Sequence, residues 1–306
     1  MKQILAVCVL ALLGFLPGED PKQFTDWDTP VNLGLVVNSG KVDSCVTISK
    51  DGRTLIFSSN RGNTSSSNRD LYVSKRESKT DPWEAPVALT MLNTSVWDSC
   101  PALSLDEHRL YFTRTVGCGQ EDIWVSRRQD RRDDFGWEQP VNLDCSGDGY
   151  VNTPARELMP TFFENEEGKV VMYFVSNRPG SEGLDIYQSE MRDDDTFGPA
   201  AKVAELNSSS NETSPTVRRD GLEVIFLSNR TGGSGTGSMD FWRATRASTA
   251  DPWSNVEFVP SLGNPAWGNG RISLSFDGCE LYFSAWNGAA NYDLCAAKRE
   301  RVRGAK

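Results

Sequence analysis

The feature of this sequence that most limits its fold is a unit of about 55 residues that occurs five times. Four units begin with an acidic residue and the fifth with an amide, at intervals of 55, 59, 55 and 57 residues: Asp43, Asp98, Glu157, Glu212 and Asn269. A unit of this kind cannot bury its hydrophobic face alone, so it stacks on its neighbours. The sequence therefore predicts one continuous repeat domain.

Each unit contains short apolar runs separated by turn residues. In the first unit the runs lie at 43–49, 54–58, 70–73 and 83–89, which predicts a four-stranded antiparallel meander. The fifth unit lacks its last run, but a copy of that run, 27–33, precedes the first unit. We therefore predict an all-β, five-bladed β-propeller over residues 24–303, in which the N-terminal strand completes the last blade and closes the ring.

Three short motifs recur within the units. Ser-Asn-Arg occurs at 59–61, 176–178 and 228–230, Asp-Gly turns occur at 51–52, 220–221 and 277–278, and Asp-Ile-Tyr occurs at 185–187. With these motifs the unit resembles the PD40, or TolB-type, WD40-like β-propeller repeat, although not TolB itself. The resemblance implies the fold, and it leaves the function open because that family includes transport scaffolds, peptidase accessory domains and polysaccharide-active proteins.

The N-terminus and the overall charge limit where the protein acts. Lys2, the apolar run 4–16 and the polar break after it predict a signal peptide over residues 1–18, and hence a periplasmic or secreted protein. We expect no transmembrane segment and a monomer. A formal net charge of −10 argues against nucleic acid as a partner. The single histidine, His108, argues against a His-based zinc site or a Ser-His-Asp triad.

One end of the central channel is predicted to be an acidic funnel, because inner strands of a meander blade begin there. The expected ligand-binding residues are the five first residues of the units, four arginines that end the second strands and three tryptophans that do not recur: Asp43, Asp98, Glu157, Glu212 and Asn269; Arg61, Arg114, Arg178 and Arg230; Trp97, Trp267 and Trp286. In the alternative interpretation, these charged residues stabilise the fold and bind no ligand. Each arginine then bonds an aspartate that begins a third strand, and the inner acids cap backbone amides or bond the arginines.

Two functions follow from the funnel, and the sequence favours the first. The first is an exported scaffold that binds a protein, peptide or glycan without catalysis. The second is a carbohydrate-active hydrolase or lyase, with its acid and base drawn from the catalytic candidates Asp43, Asp98, Glu157 and Glu212. Four like charges in one funnel need arginines, raised pKa values or a cation, so a bound Ca²⁺ ion is the one cofactor considered.

Six cysteines follow the predicted signal peptide, and an even number in an oxidising compartment predicts disulfides. Cys279 and Cys295 are expected to pair within blade five, and Cys118 is a candidate partner for Cys145. Cys45 and Cys100 occupy the same repeat position in adjacent blades and are left to pair with each other.

Overall fold

The structure is a computed structural model that describes residues 23–63, 68–143, 151–234, 239–263, 271–288 and 291–302. Within these ranges, twenty strands form five separate four-stranded antiparallel sheets. Each innermost strand contacts the innermost strands of two neighbouring sheets, and these contacts close into a ring. The predicted five-bladed propeller is confirmed. No helix among the described residues is long and apolar enough to cross a membrane. The predicted signal peptide lies outside the described residues.

The strands follow the chain blade by blade, after a short strand β1 at Val31–Asn32. Blades one and two contain β2 Asp43–Ile48, β3 Thr54–Ser59, β4 Asp70–Lys75, β5 Val87–Ala88, β6 Asp98–Leu103, β7 Arg109–Arg114, β8 Asp122–Arg127 and β9 Val141–Asn142. Blades three and four contain β10 Glu157–Glu164, β11 Val170–Ser176, β12 Asp185–Glu190, β13 Ala201–Lys202, β14 Glu212–Val217, β15 Glu223–Ser228, β16 Asp240–Thr245 and β17 Ser254–Phe258. A 3₁₀-helix, Pro260–Leu262, precedes blade five, which contains β18 Ser273–Leu274, β19 Glu280–Trp286 and β20 Tyr292–Lys298.

The ring closes as the repeat predicts. Strand β1 pairs antiparallel with β20, with Val31 opposite Ala296 and Asn32 opposite Cys295. The sheet of blade five is therefore ordered β1-β20-β19-β18, so one chain end supplies its outer strand and the other its three inner strands. Closure of this kind leaves no open edge between the first and last repeats.

The inner strands of blades one to four each contain a β-bulge at the same repeat position. The bulged residues are in the left-handed region, with φ of 50°, 52°, 56° and 53°: Cys45, Cys100, Met159 and Ser214. The register of each inner strand against its neighbour shifts at this point. A bulge bends a strand and changes where its side chains point. Here the bulge lies between the first residue of each inner strand and the rest of that strand, which continues along the channel.

The hydrophobic core lies between adjacent blades. For example, Ile225 and Phe241 of blade four pack with Leu281 and Phe283 of blade five. Four of the five blades also place an arginine over the tryptophan of the outer strand, at 4.2 to 4.4 Å from the ring centroid: Arg76 with Trp83, Arg128 with Trp137, Arg246 with Trp253, and Arg299 with Trp27. These tryptophans stabilise the blades, as their recurrence predicts.

The predicted Cys279–Cys295 disulfide is wrong, because both residues are free cysteines. In the β19–β20 pair, Cys295 lies opposite Phe283, whereas Cys279 lies beside Arg299. The two thiols are therefore four residues apart along the ladder, or about 13 Å at 3.3 Å per residue, too far for a disulfide. Cys118 is disulfide-bonded, and its predicted partner, Cys145, lies outside the described residues. The predicted pairing of Cys45 with Cys100 is also wrong, because both are free cysteines.

Candidate functional site at the two mouths of the channel

The end of the channel where the inner strands begin is here named the acid mouth, after Asp43, Asp98, Glu157 and Glu212. All four side chains are 0% exposed. Each is the first residue of its inner strand, as the repeat predicts. Asn269 and Trp267 lie outside the described residues.

Each acid at this mouth is bonded by the loop that precedes it. Asp98 Oδ2 accepts hydrogen bonds from Thr94 N and Thr94 Oγ1, both at 2.7 Å. Glu157 accepts the same pair of bonds from Thr153, each at 2.8 Å. The equivalent donors in the other two blades are Ser39 for Asp43 and Ser208 for Glu212. One hydroxyl and one amide therefore hold every acid in the same way.

Each acid also bonds the arginine that ends or follows the second strand of its own blade. The N···O distances are 2.5, 2.6, 3.3 and 3.1 Å for the pairs Arg61–Asp43, Arg114–Asp98, Arg178–Glu157 and Arg230–Glu212. Each guanidinium lies 4.7 to 5.2 Å from two ring centroids of strands two and three. It also donates to a backbone carbonyl of the preceding loop. The four acids are therefore part of four identical charge-balanced modules.

These contacts correct the predicted acidic funnel. The acids are not a cluster of unpaired charges, because each is bonded to an arginine, and a Ca²⁺ ion would have no uncompensated charge to neutralise. The predicted pairing of these arginines with the aspartates of the third strands is also wrong. Those aspartates instead bond loop groups: Asp122 accepts from Cys118 N, and Asp240 accepts from Ser234 N. Among the described residues, no group of three or more His, Cys, Asp or Glu side chains could hold a metal ion.

Burial changes the proton affinity of Asp98 and of Glu157. Burial raises the pKa of Asp98, although Arg114 and Thr94 act in the opposite direction. Burial likewise raises the pKa of Glu157 against the effect of Ser176, Thr153 and Arg178. Glu157 also has the longest contact with its arginine, at 3.3 Å. These acids are therefore easier to protonate than an exposed carboxyl group.

Blade five departs from this pattern in its exposed groups. Trp286 is the last residue of β19, near the repeat position of the arginines, is 36% exposed, and packs edge-on against Tyr292 with ring centroids 5.3 Å apart. Nearby, Asn291 Nδ2 donates to Gly40 O. Trp97, in contrast, is half-buried beneath the guanidinium of Arg69, 4.9 Å from its ring. The structure thus makes Trp286, and not Trp97, an aromatic surface of the acid mouth.

The opposite end of the channel is here named the hairpin mouth, because the inner strands there turn into the second strands. It is a depression with about 620 Å³ of empty volume, including the open solvent at its entrance. Its charged residues are Lys50, Glu107, Arg219 and Arg271. Arg271 was missed by the sequence analysis. The available signal was its repeat position: Arg271 follows Asn269 by two residues, as Cys45 follows Asp43.

No protein-family model and no curated protein matches the chain. Solved structures do match it over almost their whole length. An α-L-arabinofuranosidase from Podospora anserina has 12% identity and a TM-score of 0.60 over 92% of this chain and 99% of its own. An endo-arabinase from Bacteroides thetaiotaomicron has 16% identity and a TM-score of 0.59 over 92% of this chain and 100% of its own.

A putative TolB from Agrobacterium tumefaciens is also similar, with 17% identity and a TM-score of 0.50 over 86% of this chain and 79% of its own. At these identities the matches establish the fold, and the TolB match agrees with the resemblance of the repeat. The glycoside hydrolases overturn the preference for a non-enzymatic scaffold and favour the carbohydrate-active alternative. The paired acids separately remove the acidic funnel of unpaired charges from which both functions were predicted. The chain has a five-bladed β-propeller fold, and these solved structures are similar to it in fold.

Proposed function

We propose that the protein is a carbohydrate-active hydrolase that binds a saccharide at the acid mouth. The observation that carries this proposal is the whole-chain match to glycoside hydrolases: three of them cover 90 to 92% of this chain and 98 to 100% of their own, with TM-scores of 0.59 to 0.60. The match includes every blade, so the analogy concerns the whole ring. It is an analogy of fold, and the chemistry has to come from residues of this chain.

Blade five supplies the groups that support saccharide binding. Trp286, which is exposed, and Tyr292, which is half-buried, form an aromatic corner near the repeat position that the other blades fill with a buried or half-buried arginine. Aromatic faces bind the C–H faces of sugar rings, and side-chain amides such as that of Asn291 can bind hydroxyl groups. The four modules occupy the other blades at this mouth, and blade five carries aromatic side chains instead.

Hydrolysis of a glycoside requires a proton donor and a second carboxylate. We assign the proton donor to Glu157, because burial raises its pKa and its arginine is the most distant of the four. We assign the second carboxylate to Asp43, whose contact with Arg61 is the shortest of the four, at 2.5 Å. Both are buried behind Thr153 and Ser39, so a substrate must displace these loop contacts to reach them.

The test is a hydrolysis screen on arabinan, arabinoxylan and synthetic glycosides with the wild type and Glu157→Gln. We expect the wild type to hydrolyse at least one substrate, and the variant to lose about 10²-fold or more of that rate. The wild-type rate should fall as pH rises through the pKa of Glu157, because a general acid must be protonated. The matched control is Glu167→Gln, an exposed hairpin residue of the same blade, which should keep the full rate.

Circular dichroism and thermal melting establish that the variants are folded. A folded wild type that hydrolyses no member of the panel contradicts the hydrolase. If the wild type is active and folded Glu157→Gln retains its rate, the hydrolase stands and the assignment of Glu157 is wrong.

A further inference from the structure

Arg271 is a buried arginine without an ionic partner among the described residues. It is 3% exposed, and its Nε and Nη1 atoms are buried without a hydrogen-bond partner there. A buried charge without a partner costs several kcal/mol. The four arginines of the acid mouth each bond a carboxylate. Arg271 therefore differs from them in having donors available to a ligand.

The groups around Arg271 are sulfur atoms and not carboxylates. Its backbone amide donates to Cys45 Sγ at 3.4 Å. The thiols of Cys45 and Cys100 are the groups whose charge acts on it most, and burial lowers the pKa of Arg271 to about 10. At neutral pH the guanidinium is therefore protonated. The hydrogen bond with Cys100 lowers the pKa of Cys45, and neither thiol accepts a hydrogen bond from Nε or Nη1 of Arg271.

The side chain of Arg271 belongs to the wall of the hairpin mouth, where two further cations lie at the rim. Lys50 Nζ is 4.6 Å and Arg219 Cζ is 4.1 Å from the ring centroid of Phe276, so the two cations flank one aromatic ring. Glu107 is the carboxylate in this wall, and its Oε1 already accepts from Lys50 N at 2.6 Å. Three cations and one carboxylate make the mouth positive in a protein whose net charge is −10.

We propose that the hairpin mouth is a binding site for a small oxyanion, a carboxylate, sulfate or phosphate group, that bonds the guanidinium of Arg271. Arginine donors form a planar fork that binds such groups in pairs of parallel hydrogen bonds. Lys50 and Arg219 attract the anion to the entrance, and hydroxyl groups such as those of Thr47 and Thr161 line its path. This site is at the opposite end of the channel from the proposed saccharide site and does not depend on it.

Thermal melting with sodium acetate, sulfate or inorganic phosphate tests the site, against sodium chloride at the same ionic strength. We expect a saturable rise of about 3 °C at ten times the dissociation constant for at least one oxyanion, and none for chloride. Acetate distinguishes a planar carboxylate from the tetrahedral sulfate and phosphate. No saturable rise with any of the three oxyanions overturns the proposal.

Arg271→Met should abolish the rise and remain folded, because it removes an unpaired buried charge. Arg53→Met is the matched control: it removes the same charge from an exposed pair with Asp51 and should keep the rise. A rise that persists unchanged in Arg271→Met, or that disappears in Arg53→Met, contradicts the site.

Two further variants keep the test decisive if Arg271→Met does not fold. Lys50→Gln combined with Arg219→Gln should raise the half-saturating concentration about tenfold. Cys45→Ser combined with Cys100→Ser should retain the rise, because the thiols do not hold the anion. An unchanged half-saturating concentration in the first protein, or loss of the rise in the second, is evidence against the proposal.

Discussion

The acid mouth and the hairpin mouth are two ends of one channel, and they treat buried charge in opposite ways. At the acid mouth, four carboxylates bond four arginines of their own blades, and the loops supply hydroxyl and amide donors to the same carboxylates. At the hairpin mouth, Arg271 is equally buried and has no carboxylate partner among the described residues. The difference shows that counting the charged residues at a site does not reveal whether their charges are paired.

The comparison predicts that one substitution has opposite effects at the two mouths. Arg114→Met leaves the buried carboxylate of Asp98 without its ionic partner. We expect the free energy of unfolding to fall by about 3 to 5 kcal/mol, measured by urea denaturation. The double variant Arg114→Met with Asp98→Leu should recover most of the loss. A loss below about 1 kcal/mol would show that the module does not hold the acid mouth together.

At the hairpin mouth, replacement of an arginine by methionine is expected to stabilise the protein. Arg271→Met removes a buried charge whose Nε and Nη1 atoms are unpaired, so the free energy of unfolding should rise by about 1 to 3 kcal/mol without added oxyanions. Urea denaturation in chloride buffer measures this change. Destabilisation of a similar size would mean that Arg271 has a structural partner, and it would remove the contrast between the mouths.

The smallest effect on stability is expected at an exposed ion pair. Lys79 and Asp277 join blades one and five with an N···O distance of 2.7 Å, and their side chains are 45% and 41% exposed. Burial alone raises the pKa of Asp277, but hydrogen bonds from Lys79, Ser275 and Cys279 N lower it to about 2. The stability from this depressed pKa is present above the unfolded value of 3.8 and is lost as pH falls towards 2.

Lys79→Met should therefore raise the pKa of Asp277 towards 3.8, followed by NMR titration of its side-chain carboxyl carbon. At neutral pH the free energy of unfolding should change by less than about 1 kcal/mol, because solvent screens the pair. A pKa that stays near 2 would assign the shift to Ser275 and the backbone instead. A larger change in stability would show that this exposed pair contributes to stability as the buried pairs of the acid mouth do.

Much of the fold could be predicted from the sequence because its determinants are local and repeated. The runs that form β2, β3 and β4 recur at nearly constant spacing, so the number of blades and their strand order follow from the sequence. The copy of an outer strand at 27–33 predicted the pairing of β1 with β20. The position of Asp43, Asp98, Glu157 and Glu212 at the beginning of the inner strands was predicted in the same way.

The sequence left the partners of these residues open between the arginines, backbone amides and a ligand, because the partners depend on side-chain direction. Arg61 bonds Asp43 and not Asp70 because its guanidinium lies between Phe57 and Tyr72 and points to the preceding loop. The cysteine pairing failed for a related reason, since the register of β19 against β20 places Cys279 four residues from the rung of Cys295.

The sequence by itself determined a closed ring of five blades and the placement of four acids and four arginines at one mouth, because period and pattern are properties of the chain. Only the tertiary structure decided that those acids are bonded and that Arg271, at the repeat position of Cys45, is buried without a carboxylate among the described residues. The physical reason is that burial and pairing are set where distant segments meet. The charge that a ligand encounters is therefore a property of the folded channel.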